Sequence, residues 1–218
     1  MNKKLKGDYK SCSFTGTYRF KEMFECPWTD LASFKKPKPT KEWEWTLKNK
    51  AGLYFIMHDD GTAWGFRKRG KIPLQKLIYI GQAGGRKQKG KGSRSTFNDR
   101  IPKHALKAVG VTSNQKKNTA GAGIADTKAW KGYRESMKEE GIEYCLENWW
   151  IALVLMPNTS ERDMEKIEDL ENSLIMTYAA LSGSKLTKGN LSGSALRKVM
   201  PRCNTSISLG TFNQIFRV

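Results

Sequence analysis

The stretch 160–181 constrains the fold more than any other. Met164, Ile167, Leu170, Leu174, Ile175, Tyr178 and Leu181 recur there at spacings of three and four. That period belongs to an α-helix with one apolar face, not to a strand. Ser160 followed by Asp163 resembles a capping box with aspartate in the glutamate position, and so marks the start near Ser160. At 100° per residue the apolar positions cover roughly 140° of arc, the breadth of a face pressed against a core. Glu171 falls inside that stripe, Glu168 lies just off its edge, and Glu165 is further round towards solvent. Ionised carboxylates are seldom buried without a partner. Three roles are therefore open to Glu171: one half of a buried ion pair, a point where the stripe meets solvent, or a metal ligand.

A helix of this kind needs a partner layer, and three segments read as strands. Leu53 to Met57 and Leu77 to Ile80 are rich in β-forming residues, and the second ends at Gly81. Between them lie Asp59-Asp60-Gly61 and the basic run Arg67-Lys68-Arg69-Gly70-Lys71, so a hairpin with a long basic loop is expected. Trp149 to Met156, bounded by Pro157-Asn158, supplies the third strand. Asp126 is placed to cap a further helix running to about Glu140. Residues 1–50 are aromatic and basic, and Lys35-Lys36-Pro37-Lys38-Pro39 reads as a loop because each proline restricts the residue before it. The tail after Leu181 also reads as loop. Trp43, Trp45, Trp149 and Trp150 read as core residues.

Charge narrows the partner. Thirty-nine Lys and Arg against 21 Asp and Glu leave a formal +18 in 218 residues. Such an excess attracts polyanions and speeds encounter with them. Nucleic acid is favoured over membrane, because no basic amphipathic helix or long apolar run is present. Arg67, Lys68 and Arg69 in one loop, and Arg86, Lys87, Lys89, Lys91 and Arg94 in the Gly- and Lys-rich stretch 84–94, are the candidate phosphate contacts. Cys12, Cys26, Cys145 and Cys203 form no C-x-x-C pair, which excludes a zinc knuckle and a disulfide framework. The N-terminus lacks the apolar stretch of a signal peptide, and a reducing, cytoplasmic setting is expected.

Gly52-Leu53-Tyr54 and Tyr79-Ile80-Gly81 stand in order, with the tyrosines 25 residues apart. Together they resemble the signature of the GIY-YIG nuclease family. Asn98-Asp99-Arg100-Ile101-Pro102-Lys103-His104 is similar to the helix segment of that family's restriction endonucleases, with Arg100 and His104 four apart on one face. Glu171-Asn172-Ser173-Leu174-Ile175, followed by Tyr178, resembles the family's Glu-x-x-Leu-Ile-x-x-Tyr segment, and Asn190 stands where a terminal Asn is sought. The resemblance covers roughly 50–190. A basic insertion separates Arg100 from the second tripeptide, so Arg86 and Arg94 are rivals for the arginine role. Phe97, Ile101, Ala105 and Ala108 give Arg100 a helix face. Pro102 disturbs that helix, which is expected to begin near Asp99 or to break there.

The resemblance implies an α+β fold: a small antiparallel three-stranded sheet flanked by helices, elaborated at the N-terminus and in loops. Residues 1–50 would form an N-terminal arm for DNA contact or dimerisation. Residues 51–190 would be the nuclease core, with insertions at 82–95 and 110–148, and 191–218 a C-terminal extension. It further implies metal-dependent hydrolysis of double-stranded DNA. Glu171 would hold Mg²⁺ or Mn²⁺, Arg100 clamp the scissile phosphate, and Tyr54 act on the attacking water with His104 as helper. Tyr79 would contact phosphate or water, and Asn190 would complete the set. No small-molecule cofactor and no membrane partner are expected. A type II restriction endonuclease acting as a homodimer fits best, of prokaryotic or phage origin. The alternatives are a phage-type or homing nuclease, or a DNA-binding protein of the same fold without the chemistry.

Overall fold

The computed structural model describes residues 3–5, 9–25, 37–61, 66–84, 95–108, 110, 128–141, 146–157, 161–182 and 209–217. In chain order the elements are β1 (Lys3–Lys4), β2 (Ser13–Arg19), α1 (Phe20–Met23), β3 (Phe24–Glu25), β4 (Lys38–Pro39) and α2 (Lys41–Asn49). They continue with β5 (Gly52–His58), β6 (Ile72–Pro73), β7 (Leu77–Ala83), α3 (Phe97–Ala108) and α4 (Lys128–Glu139). The last are β8 (Trp149–Leu155), α5 (Glu161–Leu181), α6 (Leu209–Ile215) and β9 (Phe216–Arg217). The fold is α+β, built on one antiparallel sheet with strand order β1-β2-β8-β5-β7.

The sheet therefore has five strands, not the expected three. The strands read from sequence, β5, β7 and β8, are its continuous half, and the region read as an N-terminal arm supplies the other two. The sequence of β2, Ser-Phe-Thr-Gly-Thr-Tyr-Arg, hides its burial behind two threonines. Thr15 and Thr17 are 3% and 0% exposed. Their hydroxyls are satisfied by backbone: Thr15 Oγ1 accepts from the Leu153 N–H at 3.0 Å, and Thr17 Oγ1 donates to the Arg67 carbonyl at 2.7 Å. A polar side chain that completes its hydrogen bonds is buried at little cost.

Two further expectations change. Lys38–Pro39 is not loop but pairs with Phe24–Glu25 in a two-stranded ribbon, an edge setting where a missing proline N–H is tolerated. The tail is not all loop either. Phe212, Ile215 and Phe216 follow one another at helical spacing, all buried, and β9 pairs in parallel with β6. Around Pro102 the helix neither breaks nor starts late, since α3 runs through it from Phe97. The lost hydrogen bond is offset by burial of Pro102 beside Ile101, Ala105 and Leu106. Trp43, Trp149 and Trp150 are buried, whereas Trp45 is 62% exposed.

Each face of the sheet carries its own core. One holds Tyr54, Ile56, Ile78, Ile151 and Leu153 under α1 to α4, and the other Leu53, Phe55, Ile80, Ala152 and Val154 under α5 and α6. The pairing of β5 with β7 slips between Ile56 and Met57, leaving Ile78 as the extra residue of a bulge. A bulge turns two consecutive residues to one side. Accordingly Ile78 and Tyr79 both join the first core, while Leu77 and Ile80 join the second. Among the described residues no helix is long and apolar enough to cross a membrane.

Candidate active site

Tyr54 lies mid-strand in β5, directly opposite Gly81 of the edge strand β7. The absent side chain at Gly81 makes room for both tyrosines: a Cβ there would meet the Tyr79 ring and sit 2.6 Å from Tyr54 Cζ. The two glycine-bounded tripeptides are thus a packing device as well as a pattern. Tyr54 and Tyr79 project from the same face with ring centroids 5.8 Å apart.

Helix α3 closes over them. Its first turn is fixed at Thr96, whose N–H and hydroxyl both donate to the Asp99 carboxylate, at 3.0 and 2.9 Å. This is the reciprocal half of a capping box, with the acid three residues on. Phe97, Ile101 and Ala105 then press into the core and carry His104 inward. His104 Nε2 lies 2.8 Å from the Tyr54 hydroxyl, and its ring centroid is 4.4 Å from that of Tyr79. Arg100, one turn earlier on α3, is exposed.

Burial, assisted by Lys107, Arg100 and Lys103, pushes His104 down to about 3, so its imidazole is neutral at any ordinary pH. Burial pushes Tyr79 up to about 12 and Tyr54 well above the usual tyrosine value. Glu171 adds to both shifts and Arg100 opposes both. Glu171 itself, half-buried on α5, is pushed up to about 8 by burial, with Arg100 opposing and Glu168 adding. These mutual influences bring Tyr54, Tyr79, Arg100, His104 and Glu171 into one electrostatic neighbourhood. Their elements come from both sides of the sheet, with α3 packing on β7 from one side and α5 on β7 and β5 from the other.

Glu171 fits the hard divalent cation that the sequence implies. A carboxylate so desolvated that Arg100 fails to hold it in its normal range lacks positive charge, and its oxygens suit Mg²⁺ or Mn²⁺. Among the described residues no group of three or more His, Cys, Asp or Glu is placed to hold an ion. The ion would thus rest on one carboxylate, with water and substrate phosphate completing its coordination.

Trp130 is a residue of this site that sequence reasoning missed. It is 1% exposed, and its ring lies 5.3 Å from His104 and 5.7 Å from Tyr79. It comes from α4, within 110–148, which reads as an insertion in a polar context. The pairing of Trp130 with Tyr133 and Met137 at helical spacing was the available signal. Arg67, Lys68 and Arg69 lie elsewhere. Lys68 bridges to Thr17 of β2, in a row running Thr17, Ala152, Phe55, Ile80. Four strand spacings, about 19 Å, therefore separate it from β7. Asn190 and Arg86, Lys87, Lys89, Lys91 and Arg94 lie outside the described residues, as does Ser160. No protein-family model matches the chain, and no curated protein or solved structure matches it either.

Proposed function

We propose that this chain is a metal-dependent endonuclease that hydrolyses phosphodiester bonds in double-stranded DNA, with Tyr54, Tyr79, Arg100, His104 and Glu171 as its active centre. The observation that carries the reading is the contact between Tyr54 and His104, 50 positions apart and 2.8 Å between hydroxyl and Nε2. A nuclease of this kind must take a proton from the attacking water, neutralise the phosphate and stabilise the departing oxygen. The neutral imidazole serves the first need by orienting Tyr54. With its own proton on Nδ1, His104 accepts the hydrogen bond of the Tyr54 hydroxyl at Nε2, which leaves the lone pairs of the Tyr54 oxygen to accept from the attacking water. That tautomer is held ready at a cost, because the buried Nδ1 has no hydrogen-bond partner among the described residues.

Arg100, exposed beside the cluster, presents a rigid fork of donors to the scissile phosphate. Tyr79, its ring packed against those of Tyr54 and His104, helps to hold the pair in place. Mg²⁺ or Mn²⁺, when bound at Glu171, supplies electrophilic neutralisation of the phosphate charge. The net charge of +18 supports a polyanionic substrate. A type II restriction endonuclease remains the specific form we favour. One active centre per chain then calls for a homodimer to cut both strands of a palindrome. The 1% exposure of Tyr54 favours a second reading, a DNA-binding protein that keeps the fold and leaves the dyad silent.

The deciding experiment digests unmodified and modified phage DNAs with Mg²⁺ or Mn²⁺, using the wild-type chain and its Glu171→Ala variant in parallel. Discrete fragments from the wild type alone are expected. Retained binding with no cutting by either protein would leave the silent-site reading standing.

A further inference from the structure

At the sheet edge opposite β7, a cleft of about 550 Å³ opens among β1, β2, the 69–71 turn and α6. Lys3, Lys4, Arg69 and Lys71 all line it, and among the described residues no acidic side chain does. The turn sorts its charges. Lys68 is engaged by Glu22 at 2.6 Å and lies over the Tyr18 ring, while Arg69 and Lys71 face the cleft with the two N-terminal lysines.

The backbone is built to put Arg69 there. Among the described residues it alone, glycines aside, has positive φ, at 61°, a conformation side chains disfavour. Its N–H donates to the Thr17 carbonyl at 2.9 Å, and the Gly70 N–H donates to the Arg67 carbonyl at 2.7 Å. The turn approaches so closely that a Cβ on Gly16 would lie 2.6 Å from the Arg69 carbonyl carbon. Four cations around one concave space focus a positive potential, the electrostatic signature of a phosphate-backbone contact. A lipid surface is disfavoured because the exposed large apolar residues among those described, Trp45 and Leu181, lie outside the cleft.

We infer that this cleft is a second DNA site, which grips duplex phosphates without regard to sequence, across the sheet from the tyrosine–histidine cluster. The inference rests on the reading that the chain acts on duplex DNA. Its charges come from two sequence-distant segments, and the N-terminal lysines are half of them.

The test titrates a labelled duplex of about 30 base pairs with the full chain in EDTA, over a series of salt concentrations. The variant is Lys3→Gln/Lys4→Gln/Arg69→Gly/Lys71→Gln, in which glycine suits the backbone at 69. A plot of log K against log salt is expected to be shallower by about three units, with affinity about tenfold or more weaker at moderate salt. Lys71→Glu, a single change at an exposed position, is expected to weaken binding several-fold, and it decides the matter if the quadruple variant fails to fold. Unchanged affinity and slope in a folded variant overturn the inference. So does a loss confined to phosphatidylserine–phosphatidylcholine vesicles while DNA binding persists. Because no divalent ion is present, the two readings fail separately. Cleft-dependent binding without any cleavage sinks the nuclease alone, and cleavage with cleft-independent binding sinks the second site alone.

Discussion

On β5, Tyr54 and Phe55 are neighbours in sequence, 1% and 0% exposed, and they point to opposite sides of the sheet. Phe55 lies among Ile80, Val154, Leu170 and Phe216, its ring centroid 5.6 Å from that of Phe216. Transfer of apolar surface from water accounts for every residue type there. Tyr54 is buried as completely, yet it brings a hydroxyl, an imidazole and a second phenol out of water with it. Desolvating those groups costs free energy that apolar residues of similar volume would not cost, even with the hydrogen bonds made. Two equally buried neighbours on one strand thus answer to different demands: packing on one face, chemistry on the other.

Substitution on the two faces separates those demands most sharply. Tyr54→Phe should lower cleavage by about 10²-fold or more, while unfolding free energy changes by no more than about 1.5 kcal/mol. Phe55→Ala should cost about 3–5 kcal/mol in urea unfolding, with cleavage per folded molecule largely kept at low temperature. If Tyr54→Phe cuts normally, the dyad is packing and the contrast between the faces collapses.

Glu171 extends the same contrast to pH. Its folded value is about 8 against 4.5 for the ordinary carboxyl, so the folded chain holds this proton more tightly than the unfolded chain. Its effect on stability is therefore most favourable below about 4.5 and is lost as pH rises towards 8, at about 1.4 kcal/mol per unit at most. Urea midpoints of wild type and Glu171→Gln, compared at pH 5 and pH 8 without divalent ions, should show a loss specific to the wild type. Millimolar Mg²⁺ or Mn²⁺ should then restore the wild type at pH 8 and leave the variant unmoved. A variant that loses stability in parallel with the wild type would show that other groups carry the pH dependence.

How much of this was legible follows from which residues announce their surroundings. The strands β5, β7 and β8 and the helix α5 are spelled in runs or periods of apolar residues; β5, β8 and α5 lie within a residue of where the sequence puts them, and β7 begins at Leu77 as read but runs on past Ile80 to Ala83. Tyr54 and His104 were legible as partners only through the order of short motifs, since nothing local to either records a contact 50 positions away. β2 was hidden because its buried threonines are satisfied by distant backbone. The bulge at Ile78 was hidden because no residue type specifies it, although it decides that Ile78 joins Tyr79 on Tyr54's side.

The packing role of Gly81 gives a smaller effect that touches both demands at once. Gly81→Ala places a methyl group against both tyrosine rings. Overpacking of this kind costs about 1–3 kcal/mol. Because the displaced atoms belong to the dyad, cleavage should fall more than the stability loss alone explains, on chain shown to be folded. A variant with unchanged cleavage would mean that the rings move aside freely and that the site is not held to a fixed geometry.

The smallest expected effect asks what fixes α3, the helix that carries Arg100 and His104. Two forces hold it: the Asp99 carboxylate that accepts from Thr96 at its first turn, and the burial of Phe97, Ile101 and Ala105 along its inner side. Asp99→Ala removes the first and should cost about 1 kcal/mol, the usual size for loss of an N-terminal cap. His104 lies beyond the first turn, between the buried Ile101 and Ala105, so packing should keep its Nε2 at Tyr54, and cleavage should drop only a few-fold. Arg100 is exposed and directly follows the cap, so what cleavage is lost should appear as weaker DNA binding rather than slower turnover. A fall in turnover with binding intact would reverse that assignment, making the cap the element that aims the imidazole.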